Sequence, residues 1–138
     1  MESQLSVIGL GKLGLCFAMT LKQSGFDVYG YDIDQTLITS IKQNKPPFSE
    51  PGLADLMQQF TPIQCCNSAE EIIRHTNVTF LVLPTPSSDD GQFSNDYLVA
   101  SLTDLAKALK HKSGYHLFSI ISTVTPTSST NTLIPLIE

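Results

Sequence analysis

Gly9-Leu10-Gly11-Lys12-Leu13-Gly14 constrains this chain more than any other stretch. In a strand–turn–helix unit the three glycines have separate physical jobs. Gly9 permits the tight turn, Gly11 lets the backbone approach a pyrophosphate, and Gly14 lets the helix pack close to the strand. The free N–H groups and positive dipole end of the following helix then favour phosphate. Leu5 to Ile8 reads as the strand before the turn and Gly11 to Gln23 as the helix after it. That helix is apolar almost all round (Leu13, Leu15, Phe17, Ala18, Met19, Leu21), which predicts a buried element. A second strand, Phe26 to Tyr31, leads to Asp32, 18 residues beyond Gly14. A carboxylate there accepts hydrogen bonds from the adenosine ribose and repels a 2′-phosphate, and no arginine stands near it in the chain. The pattern predicts NAD in preference to NADP.

The remainder continues the alternation of short apolar runs with helical periods, which predicts a doubly wound, mostly parallel α/β sheet of Rossmann type. Asp34 is placed to cap a helix carrying Leu37, Ile38 and Ile41, with Pro46-Pro47 as its stop. Leu53, Leu56, Met57 and Phe60 mark a short helix after Pro51, and Ile63 to Cys66 a weak third strand. Ser68-Ala69-Glu70-Glu71 is a capping box. Val78 to Leu83 is an apolar strand interrupted only by Thr79, as expected where both faces are covered. After the loop from Pro84 to Gly91, a helix carries Leu98, Leu102, Leu105 and Leu109, with Lys107, Lys110, His111 and Lys112 near its end; His111 is expected to support that helix end. Leu117 to Ile121 is a fifth strand, giving the expected order 3-2-1-4-5. Ser122 to Thr132 is rich in serine and threonine, and beyond Thr127 a frayed end or a lone helix is expected.

Composition narrows the alternatives. The 138 residues suit one domain, and a net charge of −5 is the wrong sign for a nucleic-acid binder. No apolar run approaches the length of a membrane span, and Met1-Glu2-Ser3-Gln4 does not begin a secretory signal, so a cytoplasmic setting is expected. Three cysteines, two of them adjacent (Cys65-Cys66), make neither a disulfide framework nor a metal pair, and no metal site is expected. Cys16, Cys65 and Cys66 read as packing residues, because a reactive thiolate needs an electropositive, accessible site. Pro84 and Pro86 stiffen the loop around Thr85 and are expected to shape a cofactor wall.

Beyond the glycine turn, the chain resembles the UDP-glucose/GDP-mannose dehydrogenases. The resemblance rests on Gly9 to Leu15, on Tyr29-Gly30-Tyr31-Asp32-Ile33-Asp34, and on three elements outside the general dinucleotide fingerprint. These are Glu50-Pro51-Gly52-Leu53, Leu83-Pro84-Thr85-Pro86 and Ser122-Thr123-Val124, in the family's order over nearly the whole chain. The resemblance implies NAD-dependent oxidation of the primary alcohol of a UDP- or GDP-sugar to a carboxylate. Two hydrides would pass to two NAD molecules through a thiol-bound intermediate, in an enzyme that is a homodimer or larger.

The implied cofactor residues are Gly9, Leu10, Gly11, Lys12, Leu13, Gly14, Asp32, Thr85, Pro86, Ser122 and Thr123, and Thr123 is also implied to assist catalysis. Leu37 stands where many members carry a basic residue, Ser94 where an acid is common, and Thr125 and Thr127 where the family has proline and glycine. The family's catalytic cysteine, lysine and asparagine and its sugar site find no match. Residues 1–138 are therefore expected to be an NAD-binding domain that stops before a sixth strand, a fragment of a longer dehydrogenase, and inactive alone. Two alternatives are a short-hydroxyacid-type dehydrogenase, which would need none of the three extra elements, and a free-standing, non-catalytic NAD-binding module.

Overall fold

A computed structural model describes residues 4–138; the reading of Met1 to Ser3 lies outside them. β1 (Gln4–Ile8), β2 (Asp27–Tyr31), β3 (Gln64–Cys65), β4 (Val78–Leu81) and β5 (Leu117–Ile120) form one parallel sheet in the order β3-β2-β1-β4-β5, as the sequence predicts. Successive strand residues point to opposite faces. Val7 and Val28 therefore join one apolar layer, with α1 (Lys12–Gln23), α2 (Gln35–Lys42) and α3 (Leu53–Gln59). Their neighbours Ile8 and Tyr29 join the other, with α4 (Ala69–His75) and α5 (Asp96–Leu109). Both faces are covered, so the strands tolerate no solvent-facing polar stripe. Asp34 caps α2 as expected, its Oδ1 accepting from the Thr36 and Leu37 amides at 2.9 and 3.1 Å.

Several expectations need correction. α1 is buried on one side only, through Gly14, Leu15, Ala18 and Met19, while Leu13 is 64% exposed. Leu13 borders a cleft at the amino end of the helix rather than another layer. α2 ends at Lys42, before the prolines, because Asn44 turns left-handed (φ 57°) and its Nδ2 donates to the Met57 carbonyl at 2.6 Å. The third strand shrinks to two residues, and the fourth ends at Leu81 although the apolar run reaches Leu83. The capping box is displaced by one residue. Ser68 Oγ accepts from Glu71 N–H, but the Glu71 carboxylate accepts from Asn67 N–H at 2.7 Å. The final segment is neither frayed nor lone. Ser129–Leu133 and Ile134–Leu136 are short helical turns, and Leu133 is buried in the layer of α4 and α5.

The amino ends of β4 and β5 enclose a polar network. Ser6 Oγ lies 2.7 Å from Thr79 Oγ1 and 3.1 Å from Thr76 Oγ1, and Thr79 Oγ1 lies 2.8 Å from His116 Nε2. Lys112 Nζ donates to the Ile73 carbonyl (2.8 Å), the Thr76 carbonyl and His116 Nδ1 (3.2 Å). In the basic cluster it is thus Lys112, and not His111, whose side chain satisfies helix-end carbonyls, and they belong to α4 rather than to its own helix. Burial, with repulsion from the Lys112 ammonium, lowers the His116 pKa to about 4. The ring is therefore neutral near pH 7. With Nδ1 accepting from Lys112, Nε2 carries the proton and donates to Thr79.

Candidate functional site

The strand order reverses between β1 and β4, and a crevice opens at the carboxyl ends of the strands, where sheets of this kind take ligands. The glycine turn forms one wall. Gly9 has φ +91°, and a Cβ on it would overlap the Val82 carbonyl oxygen; a Cβ on Gly14 would overlap the Gly9 carbonyl oxygen. At Gly11 an added Cβ would meet no protein atom within 4 Å. Two glycines are thus required by the protein's own backbone, and the middle one fronts open space. Gly11 caps α1 with no side-chain hydrogen bond, and among the described residues no side chain accepts from the free N–H groups of the first turn. That open, donor-rich cradle fits a pyrophosphate.

Asp32 ties the turn to the end of β2. Its Oδ2 accepts from Leu10 N–H at 2.7 Å and its Oδ1 from Asp34 N–H at 2.9 Å. A carboxylate has about four lone-pair sites, so each oxygen retains acceptor capacity toward the cleft. The Leu10 side chain is fully buried, and this residue serves the site through its amide.

The opposite wall comes from the segments after β4 and β5. Ile121 N–H continues the ladder to the Leu81 carbonyl at 2.9 Å. The strands then part, and the Ser122 hydroxyl accepts from Leu83 N–H at 2.9 Å and donates to the Leu83 carbonyl at 2.7 Å. Thr85 and Thr123 flank this junction and both line the cleft.

The cleft encloses about 800 Å³ and brings together Gly9, Gly11, Lys12, Leu13, Gly14, Asp32, Thr85, Ser122 and Thr123. Leu10 and Pro86 do not line it. Sequence reasoning missed the third side, Tyr97, Ala100, Ser101 and Asp104 of α5. The signal was present as a helical stripe beside the buried one of Leu98, Leu102 and Leu105. Lys12 is the lone cation among the described lining residues, and it lies 3.6 Å from Glu50 of the Glu50-Pro51-Gly52 turn.

None of the three thiols is activated. Burial raises the pKa of each, with Glu50 adding to it at Cys16, and Cys66 reaches about 11. Cys16 is only partly buried and lies on a separate groove between α1 and α3.

The model for the NAD-binding domain of the UDP-glucose/GDP-mannose dehydrogenase family matches residues 3–138. The UDP-glucose 6-dehydrogenase of Haloferax volcanii is 35% identical over 137 residues, 98% of this chain and 32% of that protein. The GDP-mannose dehydrogenase of Pseudomonas aeruginosa, solved as a ternary complex, superimposes with a TM-score of 0.92 at 33% identity, over 100% of this chain and 32% of its own. The UDP-glucose dehydrogenase of Pyrobaculum islandicum gives 0.92 at 27% identity, over 99% and 32%. The chain spans about a third of the length of the curated relatives it matches.

Proposed function

We propose a function from one premise: the chain belongs to the UDP-glucose/GDP-mannose dehydrogenase family, as its NAD-binding domain. In our reading, residues 1–138 hold NAD for a longer enzyme, a homodimer or larger, that oxidises the primary alcohol of a UDP- or GDP-sugar to a carboxylate. The observation that carries this reading is the Asp32 carboxylate, held by two backbone amides at the mouth of the glycine cradle. There it accepts from the adenosine ribose hydroxyls and repels a 2′-phosphate. Asp34 lines the same cleft beside Asp32 and adds to that repulsion.

The cofactor, when bound, supplies the hydride acceptor. The first turn of α1 directs its amides at the pyrophosphate, and Gly11 leaves the room for it. Thr123, at the carboxyl end of β5, carries a hydroxyl that both donates and accepts, which suits orienting a water or the reacting oxygen. The raised thiol pKa values support the view that residues 1–138 contribute no nucleophile and produce no NADH from a nucleotide sugar by themselves.

Calorimetric titration with NAD and NADP tests the cofactor assignment. NAD should bind at least ten-fold more tightly, about 1.4 kcal/mol. Asp32→Ala should weaken NAD and narrow the gap, with a melting curve run beside it because the substitution also releases two amides. Equal affinity of the unsubstituted chain for both nucleotides would end the ribose assignment.

A further inference from the structure

The Ser122 hydroxyl carries more than a lining role. At 2.9 and 2.7 Å it bonds in both directions to one residue, Leu83, just where the backbones of β4 and β5 part. It takes over the sheet ladder as a side-chain rung. Its second carbonyl neighbour, Leu81, is at 3.4 Å, and a hydroxyl has a single proton, so the Leu83 carbonyl takes it.

The residues after Leu83 make the rung consequential. Pro84 has no N–H and restricts Leu83 to extended conformations, so no further backbone donor intervenes before Thr85. On the far side, Ser94 N–H holds the Pro86 carbonyl at 2.8 Å. Thr85 is thus suspended between two anchors, one of which is the side chain of the residue immediately before Thr123. The Ile121 and Ser122 amides both reach the Leu81 carbonyl, at 2.9 and 3.3 Å, and beyond that point the Ser122 hydroxyl holds the two threonine-bearing segments together.

We propose that Ser122 is a positioning residue: by clamping Leu83 it fixes Thr85 and Thr123 relative to each other, and with them the half of the cleft farthest from Asp32. This rests on the proposed function, in which the adenosine half of NAD lies at Asp32 and the nicotinamide half at β4 and β5. Binding of the two halves should then respond separately. ADP carries the adenosine and pyrophosphate groups and lacks everything beyond them; NAD reaches the clamped segments.

The experiment compares the unsubstituted protein with Ser122→Ala and Ser122→Thr, measuring NAD and ADP affinity by calorimetry, melting temperature, and hydrogen exchange at the Leu83 amide. Ser122→Ala should expose the Leu83 amide to exchange at least ten-fold faster and weaken NAD about ten-fold. ADP should stay within two-fold. Ser122→Thr retains the hydroxyl and should restore both protection and NAD affinity. A purely structural role would lower the melting temperature and weaken both nucleotides alike, or neither, and either result would overturn the proposal. Unchanged protection of the Leu83 amide in Ser122→Ala would overturn it too, whatever the nucleotides do. Failure of the unsubstituted protein to bind either nucleotide would instead refute the cofactor reading, and that failure is visible before any variant is made.

Discussion

The two ends of this sheet handle polar groups in opposite ways. At the amino ends of β4 and β5, Ser6, Thr76, Thr79, His116 and Lys112 close on one another and on two carbonyls of the α4 end. At the carboxyl ends, Asp32 and Ser122 use part of their capacity to hold backbone in place, and Thr85 and Thr123 line open space. A closed network is stabilising because its buried groups are satisfied. An open one retains capacity for a ligand. The contrast predicts that substitutions at the closed end change stability without changing nucleotide affinity, and that substitutions at the open end do the reverse.

Gly14→Ala should break that separation with the largest effect. Its methyl group would overlap the Gly9 carbonyl, which as backbone cannot swing aside. A loss of about 3 kcal/mol or more is expected, lowering the melting temperature by roughly 10 °C, together with loss of NAD binding. Gly11→Ala sharpens the contrast within the same turn. Nothing in the protein opposes the new methyl, so melting should move little while NAD weakens at least ten-fold in calorimetry.

At the closed end, Lys112→Met keeps the apolar stem and removes the ammonium. Loss of its bonds to the Ile73 and Thr76 carbonyls should cost about 2 kcal/mol in denaturant unfolding. NAD affinity should stay within two-fold, and a larger change would mean that the two ends communicate.

The same network sets a pH dependence. The folded-state pKa of His116, about 4, lies below its ordinary value of 6.5, so the unfolded chain takes up the proton first as pH falls. The stabilisation is fully present above pH 6.5 and is lost progressively toward pH 4. Allowing for the partial exposure of the ring, the loss is about 2 kcal/mol. Against His116→Gln, the unfolding free-energy difference should shrink by that amount over this interval. A constant difference would remove His116 as the titrating group.

The smallest effect is expected beyond the open end. Thr127 is β-branched and holds φ +70°, in the left-handed region that glycine adopts freely. Thr127→Gly should stabilise by about 1 kcal/mol in thermal melting, with NAD affinity unchanged.

Local chemistry was legible in the sequence. The glycine turn, Asp32 at the end of β2 and the Asp34 cap follow from covalent geometry and hydrogen-bond capacity over a few residues, and the strand order from the fold class that the alternation of strands and helices along the whole chain predicts. The tertiary structure decided whatever depends on residues distant in the chain. Asn44 stops α2 by reaching Met57, and Lys112 serves α4 from beyond α5. The stripe of Tyr97, Ser101 and Asp104 became a wall of the cleft only because Leu98, Leu102 and Leu105 docked on the sheet. The Ser122-Thr123-Val124 resemblance marks Ser122 as a cofactor residue, but its rung to Leu83 exists because parallel pairing brings β5 beside β4 and then lets the two strands diverge. Periodicity encodes which face of an element is buried, but it carries no information about which element will lie against that face. That is settled when the apolar layers pack, and the satisfied polar contacts follow from it.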